Sequence, residues 1–395
     1  MRYVLLLLFV PMISAVALSQ TLEGRFYQER KSFSIGEPLF FTMEIKNPGS
    51  EAVYISPKVP GQCVNSLTFS VQRLNRSSSS ACFISWNVGC EDEPDTLNPG
   101  EVSKASWPLN FWYRLSHEGT FKATIARHMQ ISTARGGVKE FSFSSDLEFK
   151  VEPADPATVE LALRKFEADL NSKDPEVRHN AMDAISTTAP PYLQDVALRL
   201  ARSKDVFDVA HGIAALRLLN TTEGNAALAE IVSSREISNP AEVNARCNAI
   251  KALGESGDAT YLSMLAPYME HEQTCESEAA MVATARLGQA NAVNRLQSFL
   301  QNPSTKLRKN AAFALRWTVA PDAVDALIGA LRDKDEAVRQ QADASLVQLT
   351  GHSVSSADQQ SGTPLQLEDS WRVWWRSQSH DANLVAVPPE LCRLD

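Results

Sequence analysis

The stretch VRQQADASLVQL, residues 338–349, sets Val338, Ala342, Ser345 and Leu346 at i, i+4, i+7 and i+8, on one face of a helix. Arg339 follows the first of them, and alanines stand where a neighbouring helix would touch. The same spacing recurs in Leu307, Ala311, Ala314 and Leu315, in Ala245, Ala249, Ala252 and Leu253, and in Val177, Ala181, Ala184 and Ile185. Leu307 and Val338 are 31 positions apart, and so are Leu300 and Leu331, which end the preceding amphipathic segments AVNRLQSFL and AVDALIGAL. A helix pair that recurs at a fixed period marks a stacked architecture, because one pair cannot bury its own face. Matching Ile185, Leu216, Leu253, Leu287, Leu315 and Leu346 gives six units, with insertions between the second and the fourth.

Two of these segments, LRDKDEAVRQQADASLVQL (331–349) and LNSKDPEVRHNAMDAI (170–185), resemble HEAT repeats, most closely the short class named after phycobilisome lyases. The resemblance covers residues 157–350 and implies an α-solenoid of HEAT-type helix pairs over residues 153–350. The units at Leu216 and Leu287 depart from it, since neither has an arginine at the expected place. The class has enzymatic, chaperone and scaffold members, so the resemblance fixes no chemistry.

Upstream of residue 155 the period is two. Leu39, Phe41, Met43 and Ile45 alternate with polar or outward positions, as do Leu67, Phe69 and Val71, then Phe121, Ala123 and Ile125, then Leu147, Phe149 and Val151. Asn47-Pro48-Gly49-Ser50, Asn98-Pro99-Gly100 and Gly136-Gly137 supply the turns. Short strands with such punctuation predict an antiparallel β-sandwich over residues 20–152. The stretches FSIGEPLFFTMEIKNPGSEAVYI (33–55) and LNPGEVSKASWPLNFWYRLSHEGTFKATI (97–125) resemble bacterial immunoglobulin-like domains of exported proteins. They are more loosely similar to sandwich inhibitors of the intracellular-proteinase-inhibitor type. VEPADPAT (151–158) reads as the linker to the helices. The expected fold class is therefore multidomain β + α: an immunoglobulin-like antiparallel β-sandwich followed by an α-solenoid.

Residues 1–19 have a basic start, an apolar run interrupted by Pro11 and small residues before Gln20, the layout of a cleavable signal peptide. The expected location is exported, periplasmic or extracellular. No later stretch reaches the roughly 20 apolar residues of a membrane span, so no span is expected in the mature chain. A net charge of −9 gives no support to nucleic-acid binding. Of the six cysteines, Cys63, Cys82 and Cys90 fall in one short window, where a bridge between two of them is expected. Cys247, on an inward helical face, reads as a small core residue rather than a nucleophile.

Arg178, Arg246, Arg308 and Arg339 each stand seven residues before the last leucine or isoleucine of their unit. Asp174, Glu242, Ser304 and Asp335 lie four residues earlier, where they can cap a helix and meet the arginine or its counterpart on the next repeat. A ladder between neighbouring units is one reading. The other makes Arg246, Arg308 and Arg339 partner-binding residues in a groove. Trp371, Trp374 and Trp375 in LEDSWRVWWRSQSH (367–380) share a helical face, which caps the last repeat or docks a partner. Residues 351–395 thus form a loop, a tryptophan-containing capping helix and a tail.

Deoxyhypusine hydroxylase, a HEAT-repeat metalloenzyme, relies on several His-Glu pairs; only His271-Glu272 occurs within these repeats, so such a di-iron site is not expected. No nucleophile elbow, zincin or phosphate-loop motif is present. No catalytic, cofactor-binding or metal residue is assigned, and no cofactor is expected. The expectation is a non-catalytic exported scaffold that binds a protein or peptide partner. The alternatives are a protease inhibitor acting through the β-sandwich loops and an enzyme with a site between the two domains.

Overall fold

In a computed structural model of the protein, the described residues are 22–55, 66–74, 82–87, 95–134, 136–234, 239–272, 275–354, 364–378, 384 and 392–393. The signal peptide expected at residues 1–19, Cys63, Cys90 and most of the tail after His380 lie outside them.

A β-sheet region comes first. Its strands are β1 (Glu23–Tyr27), β2 (Ser32–Ser34), β3 (Phe40–Lys46), β4 (Val53–Ile55), β5 (Ser66–Arg73) and β6 (Cys82–Asn87). There follow β7 (Asp95–Leu97), β8 (Val102–Pro108), β9 (Tyr113–Arg114), β10 (Gly119–Thr133) and β11 (Lys139–Glu152). One sheet has the order β1-β3-β8; the other runs β2-β11-β10-β4-β7, with β5 pairing both β10 and β6. The long β10 takes β5 along its first half and β4 along its end, both antiparallel. Period-two burial follows from the pleat: Phe41, Met43 and Ile45 point inward from β3, and Leu67, Phe69 and Val71 from β5. Phe41 meets Phe69 edge to face at 5.3 Å, and Phe26 of β1 stacks on Phe143 of β11 at 5.0 Å.

Arg127 breaks this pattern. It occupies an inward slot of β10 opposite Leu67, between the buried Ile125 and Met129. It is 6% exposed, and its Nε and Nη1 have no hydrogen-bond partner among the described residues. Burial pushes its guanidinium down to about 10.

A helical region follows. Asp155 caps α1 (Pro156–Asp169), with proline in the first turn as the missing N–H there permits. The chain continues as α2 (Pro175–Thr188), α3 (Gln194–Ala201), α4 (Val206–Leu219), α5 (Thr222–Ser233) and α6 (Pro240–Glu255). Next come the short α7 (Leu262–Leu265), then α8 (Glu276–Gly288), α9 (Val293–Phe299), α10 (Thr305–Leu315), α11 (Pro321–Ala330), α12 (Glu336–Thr350) and α13 (Pro364–Ser377). Each odd-numbered helix from α1 to α11 packs on the even one after it, and α2, α4, α6, α8, α10 and α12 pack on one another in that order. The anchoring apolar residues of five of these even helices, Ile185, Leu216, Leu253, Leu315 and Leu346, are fully buried. Val177, which shares the face of Ile185, stays exposed in the first turn of α2.

Small residues let the backbones approach. A Cβ added to Gly254 of α6 would lie 2.6 Å from Cα and Cβ of Ala283 in α8, closer than carbon atoms pack.

Two compact units emerge. One holds β1, residues 41–106 and 121–149; the other holds residues 32–40 and 107–120 together with everything from 150 onward. Within the second unit, Phe40 stacks on Phe166 of α1 at 5.6 Å, and Asn110 accepts from the Leu39 N–H at 2.8 Å. The last strand, β12 (Cys392–Arg393), runs parallel to β9. No helix among the described residues is long and apolar enough to cross a membrane.

Gly254→Val should force α6 and α8 apart and destabilise the helical unit by about 1–3 kcal/mol. Urea unfolding checks this, with Gly329→Val, at a position with open space around it, as the comparison.

Candidate functional site

The four arginines begin at helix starts whose caps set their direction. Asp174 accepts from the N–H groups of Glu176 and Val177, Ser304 from Leu307 and Asp335 from Ala337, as the spacing predicts. Glu242 does not cap α6. That place belongs to Asn239, whose Oδ1 accepts from the Glu242 N–H at 3.1 Å, because Pro240 occupies the first helical position and moves the cap one residue before it.

The side chains of Arg178, Arg246 and Arg308 bypass the residues four positions earlier and cross to the following helix pair. Arg178 bonds Asp208 in the first turn of α4, and Asp208 also accepts from Ser203 Oγ at 2.8 Å. Arg246 donates to Glu276, at the start of α8, at 3.1 Å, and to the Ser234 carbonyl, and it lies over the Tyr268 ring at 5.6 Å. Glu276 also bonds His271 Nδ1 at 2.6 Å. Arg308 grips Asp333, just ahead of α12, through Nε at 2.7 Å and Nη2 at 3.0 Å. Its Nη1 donates to the carbonyls of Asn302 and Pro303, both at 3.0 Å. Arg339 has no carboxylate among these contacts; its Nη1 donates to the carbonyls of Asp333 at 2.8 Å and Lys334 at 3.2 Å. So Arg246 and Arg308 are buried and internally bonded, whereas Arg339 is half-buried at the edge of the same cluster.

Electrostatics follow from burial. Desolvation alone would raise the carboxyl of Asp333, yet the hydrogen bonds from Arg308 and the Asp335 N–H hold it below the usual range. The Asp333 carboxylate in turn holds the Arg308 guanidinium above its ordinary value.

Next to this pair a groove of about 500 Å³ opens. Its lining includes the exposed Gln297, Gln301, Asp325 and Lys334 together with buried Arg308 and half-buried Asp333.

The tryptophans lie at the chain's last helix pair. Trp371 is fully buried, and its indole N–H donates to Asp343 of α12 at 2.7 Å. Burial pushes the Asp343 carboxyl up, and that hydrogen bond tempers the rise. Trp374 lies flat against His352 at 4.1 Å, and both it and Trp375 pack on the helical core. Buried Glu368 receives Arg332 and Arg372, which hold it below the usual carboxylate range against the rise that burial alone would cause.

Cys247 is not an isolated core residue. It is bonded to Cys275, with Cα atoms 6.0 Å apart, because α6 and the turn before α8 lie side by side although 28 positions separate the two. The bridge expected among Cys63, Cys82 and Cys90 involves residues outside those described.

Residues 293–358 match the HEAT-repeat family, so the helical region carries HEAT repeats there. No curated protein matches the chain. Among solved structures it is similar to the complex of CpcE and CpcF of phycocyanin lyase from Nostoc sp. PCC7120, at 19% identity over 54% of this chain and 83% of that one, TM-score 0.34. It is also similar to YibA of E. coli, at 16% identity over 46% and 69%, TM-score 0.34. For human deoxyhypusine hydroxylase in complex with glycerol the values are 15% identity, 55% and 97%, TM-score 0.27.

Arg308→Ala strands a buried carboxylate and should cost about 3–5 kcal/mol, whereas Arg339→Ala loses bonds to carbonyls only, about 1 kcal/mol; chemical denaturation compares them. Because Asp333 and Glu368 are held low in the folded state, their contribution is present above the ordinary carboxylate range and lost as pH falls through the folded values. Melting temperature should therefore drop steeply below about pH 4, and less steeply in the Asp333→Asn variant.

Proposed function

We propose that the protein is a non-catalytic, exported binding protein, an immunoglobulin-like β-sandwich followed by a HEAT-type α-solenoid whose groove receives a protein or peptide partner. The groove beside Arg308 carries this reading. Its exposed amides, Gln297 and Gln301, each offer a donor and an acceptor, which suits the backbone of an extended peptide, and Asp325 and Lys334 in the same lining can meet charges of either sign. The buried arginine and its paired aspartate hold that lining rigid, so the rim is presented without reorganisation. The Cys247–Cys275 bridge supports export, since such bonds persist in oxidising compartments. Arg246, Arg308 and the tryptophans then shape the surface, and the partner meets the residues around them. For the protease-inhibitor alternative, residues 56–65, 75–81 and 88–94 of the β-sheet region lie outside the described residues.

A photo-crosslinking residue at Gln301 in living cells should capture a discrete partner, and one at Leu161, exposed on α1, should not. Lys334→Glu should then weaken binding of the purified partner at least fivefold with melting temperature unchanged. Equal capture at both positions, or none at Gln301, rejects the groove as the binding surface.

A further inference from the structure

Two histidines and an aspartate from neighbouring helix pairs converge away from the groove. His179 and Asp183 are four positions apart in α2, which puts them on one face of that helix, and His211 reaches them from α4. His211 Nε2 lies 3.0 Å from Asp183 Oδ1, His179 Nε2 lies 3.6 Å from Asp183 Oδ2, and the three ligand atoms are all within 4.8 Å of one another. The side chain of Asp183 is 2% exposed, that of His211 12% and that of His179 51%. The carboxylate is thus the floor, one imidazole a wall and the other the mouth.

Two observations point to a cation among them. His211 Nδ1 is 2.7 Å from the Phe207 carbonyl oxygen, which can only accept, so Nδ1 carries a proton. Its Nε2 then faces a carboxylate oxygen at hydrogen-bond distance, and two acceptors that close require a positive centre between them. That centre is either a second proton or a metal ion. Separately, Asp183 Oδ2 is buried with no hydrogen-bond partner, a costly condition for a carboxylate oxygen. A proton on His211 serves Oδ1 and leaves Oδ2 with His179 Nε2 at 3.6 Å, beyond hydrogen-bond distance, whereas a metal ion held by both imidazoles can draw on Oδ2. Arg178, next to His179, is turned to Asp208, and no Lys or Arg side chain is paired with Asp183 among the described residues.

We propose that His179, Asp183 and His211 bind one divalent ion of the zinc class. Two imidazoles and a carboxylate are the donors such borderline ions take, and three protein ligands leave a position open towards solvent at His179. Ligands about 2.0–2.2 Å from a tetrahedral ion lie roughly 3.3 Å apart, so the half-exposed His179 needs only a small swing inward. The hydrogen bond from His211 to Phe207 fixes that ring in the tautomer that presents Nε2. The ligands come from two successive helix pairs, so the ion would tie the first to the second.

The test uses the full chain without an affinity tag, stripped with chelator, titrated with Zn²⁺ by calorimetry and with Co²⁺ by visible absorption. One ion per chain is expected, with Co²⁺ bands of a tetrahedral nitrogen and oxygen site and a rise in melting temperature on adding Zn²⁺. His179→Ala, at a half-exposed position that leaves folding intact by circular dichroism, should weaken binding at least about tenfold, and His211→Ala should abolish it. His352→Ala should leave it unchanged. No Zn²⁺ binding by the folded wild-type chain, or equal affinity in the His179→Ala variant, overturns the proposal and leaves a doubly protonated His211 as the positive centre.

Discussion

The structure rests on the contact between successive even-numbered helices. Each helix pair has one apolar face that its own partner cannot cover, so the face of α6 is buried only because α8 lies against it, and so on along the series. Between α6 and α8 that contact is made by glycine and alanine. Gly254 against Ala283 there, and Gly212 against the end of α3 within one pair, bring backbones closer than any side chain would allow. Close approach has a physical consequence: the spacing between pairs is set by backbone atoms, which do not adopt alternative rotamers. Bulk is supplied behind the seam, where Leu216, Leu253, Leu315 and Leu346 fill the interior. Each fully buried leucine contributes about 1.5–3 kcal/mol.

The arginines fit this frame. A helix of small residues packs tightly but does not specify which neighbour follows it. A bidentate pair such as Arg308 with Asp333, 4% and 10% exposed, is directional, and its arginine satisfies carbonyls of the turn before α10 at the same time. Ion pairs this buried add little net stability over apolar groups of the same size. Their value lies in register, since a shifted pair would leave a charge without a partner.

Much of this was legible in the sequence, and the reasons for the remainder are physical. The period-two strands, the period of helix pairs, the anchoring residues and three of the caps follow from spacing alone, because spacing decides which side chains share a face. The partners of the arginines do not, since Asp208 and Glu276 lie 30 positions beyond their arginines but Asp333 only 25, and only the packed neighbour brings them near. The displacement of the α6 cap to Asn239 hinged on reading Pro240 as a first-turn residue. Arg127 was hidden because its inward slot is clear only from the strand register, while its chemistry suggests the outside. Cys247 with Cys275, and His179 and Asp183 with His211, are joined across one repeat. Their separations of 28 to 32 positions are unremarkable in a linear reading, yet they place the residues one stacking step apart.

The bridge between α6 and the turn before α8 also changes how the chain would respond to being pulled. A stack of helix pairs under tension opens pair by pair, each releasing its length as its seam parts. The bond from Cys247 to Cys275 closes a loop of 28 positions across one such seam, so roughly 90–100 Å of extended chain stays out of reach of a stretching force. The third and fourth pairs would then part only as far as the covalent link allows, and the protein would lengthen in unequal steps on either side of it.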